Sequence, residues 1–154
     1  VCDADSLPSY CEDSYVLVVT VCDSASPTPI LNLDEQENVL DHCQFTFADL
    51  DPELYQDKWE QPVERYGKLP AELVVSKDDA KRVWAFILKP RDPYPSRLIF
   101  VGDHLAEAAA RGVVEALRLP EDSLLIDRSD SIESVGSNRH LQSVVRASRN
   151  LVYG

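Results

Sequence analysis

The apolar and polar positions of the chain alternate between strand-like runs and helix-like stretches. Residues 15–22 read Tyr-Val-Leu-Val-Val-Thr-Val-Cys, a continuous and mostly β-branched apolar run of strand length. Such a run is typical of a strand that is buried on both faces inside a parallel sheet. Shorter runs of the same kind at residues 72–75, 97–101 and 123–127 predict three more strands.

Helical patterns separate these runs. Ser76 can act as an N-cap, and Asp79 stands three residues later, where a capping box carries its acidic or amide residue. The helix that begins there should end before Pro90, because a residue that precedes proline avoids the α region. Further helices are predicted over residues 104–117 and 131–148. Strands that alternate with helices predict an α/β fold with a Rossmann-like, doubly wound and mostly parallel sheet of about four to five strands.

The length and the local composition suggest how the chain is organised. Its 154 residues are predicted to form a single α/β domain, 1–154. Residues 1–14 are polar and predict an irregular arm. Residues 34–70 are rich in acids, contain aromatic side chains and predict an acidic insertion after the first strand, with one or two helical turns over residues 34–42.

The charge of the chain narrows its partners. The 27 acidic and 15 basic residues give a formal net charge of −12, which repels nucleic-acid phosphates and anionic membrane surfaces. No apolar run approaches the roughly 18 residues that a membrane-spanning helix needs. We therefore expect no nucleic-acid partner and no membrane span. A small polar molecule or a basic protein remains as the partner, and the oligomeric state stays open.

Four cysteines, all within the first 43 residues, leave two alternatives. An even count would form two disulfides in a secreted chain, whereas a cytosolic chain would keep free thiols. A cytoplasmic location is slightly favoured over a secreted or periplasmic one. The chain has no Cys-x-x-Cys pair, so no metal site is predicted, and no cofactor is assigned. The cysteines are Cys2, Cys11, Cys22 and Cys43.

Candidate site residues follow the predicted strands, because ligands of doubly wound sheets bind at the carboxyl ends of the strands. Gly102 and Asp103 end one strand and begin a helix, where backbone N–H groups can hold an anion. The three glycines of a dinucleotide fingerprint are absent, and helix capping explains Asp103 better than anion binding does. No catalytic residue is assigned, and whether the protein is an enzyme stays open. The predicted ligand-binding residues are Asp23, Ser24, Gly102, Asp103, Asp127, Arg128, Ser129 and Glu133.

The C-terminal half also resembles a known family. Residues 97–102 (Arg-Leu-Ile-Phe-Val-Gly), the Ala/Glu-rich helix of residues 106–111 and the segments 119–129 and 130–134 are similar to the YdcF/SanA/ElyC-like family of bacterial proteins. The resemblance covers about residues 77–145. It implies a Rossmann-like fold, a link to the cell envelope and a phosphate- or nucleotide-like pocket. Gly102 and Asp103 stand where that family has Ser-Gly-Gly.

Two functional hypotheses follow. The first is a Rossmann-like domain that binds a small polar ligand at the carboxyl ends of its strands, either as an enzyme or as a degenerate relative of one. The acid-rich site favours a cationic, sugar-like or metal-bridged ligand over a free phosphate. The alternative is an acidic interaction protein or inhibitor of the immunity-protein type, in which the acids of residues 33–60 bind a basic protein partner.

Overall fold

Three parallel strands organise the computed structural model, which describes residues 1–24, 30–48, 75–102, 104–127 and 138–152. The strands are β1 (Val16–Asp23), β2 (Val39–Phe47) and β3 (Arg97–Gly102). Their order in the sheet is β2–β1–β3, and β1 pairs in parallel with both neighbours. The expected α/β class with a parallel sheet is confirmed. The described residues form three strands rather than the four to five that the sequence predicted.

β1 is the centre of the sheet. Its residue Val18 pairs with His42 of β2 on one side and with Ile99 of β3 on the other. Every residue of β1 from Val16 to Cys22 is buried. This burial explains why the strand is a continuous apolar run, since a strand flanked on both edges and both faces offers no position to solvent.

Within the described residues, four helices and two short 3₁₀ turns accompany the strands. The helices are α1 (Leu7–Tyr10), α2 (Lys77–Leu88), α3 (His104–Ala116) and α4 (Arg139–Ser148). The capping box predicted for α2 is confirmed: Ser76 Oγ accepts the N–H of Asp79 at 3.2 Å, and Asp79 Oδ2 accepts the N–H of Ser76 at 3.1 Å. The 3₁₀ turns span Glu121–Ser123 and Arg149–Val152.

Helices α2, α3 and α4 pack together on one face of the sheet. The buried side chains Val19, Val21 and Phe100 of the strands join them in one apolar cluster. Trp84 of α2 is fully buried, and its indole N–H donates to the carbonyl oxygen of Val145 in α4 at 2.6 Å. Because α3 meets α4 at Gly112, a Cβ at that position would lie 2.6 Å from the carbonyl oxygen of Gln142.

The other face of the sheet is covered by the N-terminal residues and by the connection between β1 and β2. Side chains that alternate with those of the helical face point here and form a second apolar cluster. Its members are Cys2, Leu7, Cys11, Val16, Val18, Ile99 and Val101, with Leu31, Leu33 and Val39 packed against them.

β2 corrects the prediction for residues 34–42. That stretch was expected to form helical turns, but β2 starts at Val39 and runs through nine residues that belong to the predicted insertion. Polar residues such as Asp41, His42 and Gln44 interrupt its apolar pattern. β2 lies at the edge of the sheet formed by the described residues, and its first six residues are only partly buried, which tolerates polar side chains. The part of the predicted insertion over residues 49–70 lies outside the described residues.

The N-terminal residues also depart from the prediction, because they enter the sheet. Cys2 makes parallel bridges to Val101 of β3 and to Asp127. Its N–H donates to Phe100 O at 3.0 Å, and its own carbonyl accepts the N–H of Gly102 at 3.2 Å. The predicted strand over residues 123–127 is reduced to this single bridge at Asp127, preceded by a 3₁₀ turn.

The remaining predictions are only partly covered. Residues 72–74 of the predicted short strand and residues 131–137 of the last predicted helix lie outside the described residues. Within the described part of that helix, α4 begins after Asn138, whose side chain accepts the N–H of Leu141 at 3.0 Å. Among the residues the structure describes, no helix has the length and apolar character needed to cross a membrane.

Candidate functional site

The carboxyl ends of β1 and β3 lie side by side. Val21 pairs with Gly102, so Asp23 and Ser24 extend beyond the last paired residue of β3. From β1 the chain proceeds to β2 on one side of the sheet. From β3 it proceeds through α3 to Asp127, which lies beyond β3 on the opposite side. We call this place, where the two connections diverge, the switch point.

Gly102 brings the two strands unusually close at the switch point. Its φ is 146°, in a region that side-chain-bearing residues rarely adopt. A Cβ on Gly102 would lie 2.4 Å from the carbonyl oxygen of Val21 and 3.1 Å from Cβ of Ala106. The glycine is therefore required by close packing between β3, β1 and the first turn of α3.

The residues after β1 remain tied to the sheet. The N–H of Ser24 donates to the carbonyl oxygen of Phe47 at the end of β2, at 3.0 Å. Asp23 is half-buried and Ser24 is exposed. These two predicted residues therefore lie at the carboxyl ends of the strands, where Gly102 also lies.

On the face of β1 and β2 that is turned away from the helices, a row of polar side chains extends toward the carboxyl ends of the strands. Thr20 Oγ1 lies 3.0 Å from Nε2 of His42, and Nε2 of Gln44 donates to Sγ of Cys22 at 3.4 Å. We call Thr20, Cys22, His42 and Gln44 the polar row. Sequence reasoning missed His42 and Gln44 because it placed both in the predicted insertion of residues 34–70, with His42 in helical turns. Their spacing of two, which matches that of Thr20 and Cys22, was the signal that could have found them.

His42 is electrically neutral near pH 7. Burial lowers the pKa of its imidazole, and the neighbouring Asp41 carboxylate only partly opposes this effect. A neutral imidazole can either donate to Thr20 or accept from it. The polar row therefore offers hydrogen-bonding groups without adding positive charge.

Asp127 stands apart from the switch point. Cys2 separates it from β3, and its Oδ2 accepts the hydroxyl of Tyr10. This hydrogen bond is the main reason why the pKa of Tyr10 is raised. The structure thus brings Asp23, Ser24 and Gly102 together but places Asp127 elsewhere. The other predicted site residues lie outside the described residues; they are Asp103, Arg128, Ser129 and Glu133.

Because Cys2 bridges Val101, Asp3 lies near the carboxyl end of β3. The prediction of an irregular arm did not anticipate this position. Burial raises the pKa of the Cys2 thiol to about 11. The positive charge at Val1 opposes this, and the charges of Asp127 and Asp3 add to it. The structure pairs none of the four cysteines in a disulfide, and Cys2, Cys11 and Cys22 are buried.

A cavity lies at a different place, along the outer edge of β3. It has a volume of about 380 Å³ and lies between β3, α3 and residues 119–125. Its lining is largely apolar and includes Leu98, Val113, Val114 and Leu124. We call this cavity the edge slot.

Neither a cluster of metal-ligating side chains nor a known relative assigns a function to the site. Within the described ranges, no three side chains of the His, Cys, Asp and Glu types are grouped so that they could hold a metal ion. Comparisons of the chain with protein-family models, with curated proteins and with solved structures find no match, so the resemblance to the YdcF/SanA/ElyC-like family stays a prediction.

Proposed function

We propose that the protein binds a small polar molecule at the switch point, between the carboxyl ends of β1 and β3. The observation that supports this is the strand order β2–β1–β3. Connections that leave neighbouring parallel strands in opposite directions open a crevice above the strand ends, and α/β proteins bind ligands in such crevices. Asp23 and Ser24 border the crevice on one side and Gly102 on the other.

The side chains favour a ligand with cationic or hydroxyl groups. Asp23 brings a carboxylate to the switch point, and the chain carries a net charge of −12. A phosphate would be repelled by both. The adjoining part of the sheet also carries hydrogen-bonding groups, since Thr20 of β1 lies 3.0 Å from the neutral His42 of β2. The proposed ligand is therefore an amino-bearing or hydroxyl-rich organic molecule, and no reaction is assigned to the site.

A thermal-shift screen tests this proposal. The panel contains amino acids, amino sugars, neutral sugars, nucleosides and inorganic phosphate. A true ligand at a hundred times its Kd should raise the melting temperature by roughly 5–10 °C in a chain of this size. We expect amino-bearing or hydroxyl-rich compounds to give this shift and inorganic phosphate to give none.

Matched variants locate the ligand. Asp23→Asn and Ser24→Ala should reduce the shift, because both side chains border the crevice. Asp122→Asn removes the same charge from an exposed 3₁₀ turn and should leave the shift unchanged. The proposal fails if no compound shifts the melting temperature, or if Asp122→Asn reduces the shift as much as Asp23→Asn does.

The alternative, an acidic surface for a basic protein partner, stays a prediction. It depends on the acids of residues 33–60, and residues 49–60 lie outside the described residues. No contact or surface among the described residues favours it over the switch point.

A further inference from the structure

The outer edge of β3 turns three backbone groups toward the edge slot. At the carboxyl end of the strand, Phe100 O accepts the N–H of Cys2, and the N–H of Gly102 donates to Cys2 O. Because backbone groups alternate in direction along a strand, the N–H and C=O of Leu98 and the N–H of Phe100 point to the same edge. Within the described part of the chain, no residue hydrogen-bonds to these three groups. A backbone group that faces an apolar cavity without a partner costs free energy, so these groups favour an occupant that pairs with them.

The opposite wall of the edge slot, formed by residues 123–127, carries a further backbone donor. Leu125 O accepts a hydrogen bond from Val1 N at 2.8 Å, and the N–H of Asp127 donates to Val1 O at 2.8 Å. The backbone of this wall therefore alternates as it does in a strand, and the N–H of Leu125 points to the same side as its carbonyl. No described residue accepts this N–H. Both long edges of the slot thus present hydrogen-bonding backbone groups.

The distance between the two walls fits one extended chain. Cys2 bridges Val101 of β3 on one side and Asp127 on the other, so the walls lie two strand spacings apart at that point. Two strand spacings amount to about 9.6 Å. An α-helix measures about 10–12 Å across with its side chains, so it does not fit between two backbones at this distance. The cavity volume of about 380 Å³ lies within the range of ligand pockets, roughly 300–1,000 Å³.

The side chains around the edge slot indicate what the occupant carries. Val113 and Val114 of α3 line it together with Leu98 and Leu124, so a branched apolar side chain fits between them.

The charges near the edge slot favour basic residues on either side of that apolar side chain. Arg97 and Asp127 both line the slot and offset each other. Glu121 and Asp122 are exposed in the 3₁₀ turn that leads into the outer wall, and the whole chain carries a net charge of −12. This field attracts a cationic partner and repels an anionic one.

We propose that the edge slot binds an extended peptide segment of a partner protein, in which basic residues flank one branched apolar residue. The peptide adds a strand to β3, and its backbone pairs with Leu98 and Phe100 on one wall and with the N–H of Leu125 on the other. Backbone hydrogen bonds supply affinity in such strand addition, and the pocket for the apolar side chain supplies specificity. The site is separate from the switch point and uses none of the acids of residues 33–60.

Three blocked peptides, titrated into the unaltered chain, test the proposal. The probe is acetyl-Lys-Thr-Ile-Thr-Lys-amide. A second peptide carries N-methyl groups on its three central residues, which keeps every side chain but removes three backbone donors. A third has asparagine in place of isoleucine, which keeps the backbone but removes the apolar side chain. Binding is followed by the NMR signals and the exchange rates of the backbone amides.

The probe should bind saturably with a Kd on the order of 0.1–1 mM, as suits a short flexible peptide. At ten times this Kd, amide exchange at Leu98, Phe100 and Leu125 should slow by about tenfold, because only the unliganded chain exchanges freely. The N-methylated peptide and the asparagine peptide should each bind at least about tenfold more weakly.

Two matched variants locate the bound peptide. Val114→Phe places a larger side chain in the edge slot and should weaken binding of the probe by about tenfold or more. Ile30→Phe adds the same ring where the side chain is 77% exposed, and it should leave the Kd unchanged. Nuclear Overhauser contacts between the isoleucine methyl groups of the probe and those of Val113 and Val114 locate the peptide in the unaltered chain, independently of whether Val114→Phe folds.

Three outcomes overturn the proposal. In the first, the probe does not bind at several millimolar, or either matched peptide binds as tightly as the probe does. In the second, the probe binds but makes no contact with Val113 and Val114, or a folded Val114→Phe variant binds it as tightly as the native chain does. In the third, amide exchange at Leu98 and Phe100 slows as the concentration of the chain alone rises, which would assign the edge slot to a second copy of the protein.

Discussion

Gly102 and Val21 pair across β1 and β3 at such close range that a Cβ on Gly102 would lie 2.4 Å from the carbonyl oxygen of Val21. Replacing the glycine forces the strands apart and also strains the backbone, whose φ is 146°. We expect Gly102→Ala to lower the free energy of unfolding by about 2–4 kcal/mol, as measured by urea denaturation. The control is Ser24→Ala, which alters an exposed side chain and should change it by less than about 0.5 kcal/mol. An equal effect of both variants would contradict the packing at the switch point.

Trp84 and Ser148 share one acceptor, the carbonyl oxygen of Val145. The indole N–H donates to it at 2.6 Å, and the hydroxyl of Ser148 donates to it at 3.0 Å. Trp84→Phe should therefore cost about 1–2 kcal/mol beyond the loss of packing, since the carbonyl keeps its second donor. Trp84→Phe combined with Ser148→Ala removes both side-chain donors and should cost more than the sum of the single variants. A double-mutant cycle by urea denaturation measures this excess, and strict additivity would contradict it.

His42 should make stability depend on pH below neutrality. Because burial lowers the pKa of the folded imidazole, the unfolded chain binds a proton first as the pH falls through 6.5, its ordinary value. The free energy of unfolding of the native chain should then fall relative to that of His42→Gln between pH 7 and pH 5. Urea denaturation of both proteins at several pH values gives the difference, in which titration of the other groups cancels. A difference that does not change with pH would show that His42 is not the titrating group.

Cys2 should react slowly in the folded protein. Its pKa of about 11 leaves roughly a hundredfold less thiolate at pH 8 than a pKa of 9.0 would. Alkylation by iodoacetamide, followed at the Cys2 peptide by mass spectrometry, should thus be at least about a hundredfold slower in the folded than in the unfolded chain. All four cysteines should react after unfolding without reductant, since the structure leaves them as thiols. Fewer than four reactive thiols would reveal a disulfide.

The sequence predicts best the elements whose own residues decide their structure. β1 is recognisable because every position from Val16 to Cys22 is buried, and α2 because Ser76 and Asp79 cap it through local contacts. α3 and β3 are placed within a residue or two for similar reasons. β2 was missed because polar residues interrupt its apolar pattern. Its position at the edge of the described sheet tolerates them, and that position depends on the other strands rather than on the sequence of the segment.

The candidate site is less predictable because it depends on which strands become neighbours. Asp23, Ser24 and Gly102 were identified by their positions after apolar runs, and the strand order brings them together. Asp127 was identified by the same rule, yet Cys2 comes between it and β3. Pairing between residues 2, 101 and 127 leaves no local pattern, so sequence periodicity alone does not reveal it.

The double bridge at Cys2 has a consequence for the order in which the protein folds. The contacts of β1 with β2 join residues about two dozen positions apart, whereas Cys2 must find Val101 and Asp127 across about 100 and 125 positions. The chain loses more entropy in closing these long loops, so this margin of the sheet should assemble after the β1–β2 ladder. During synthesis, Cys2 could occupy its final place only after Asp127 had left the ribosome.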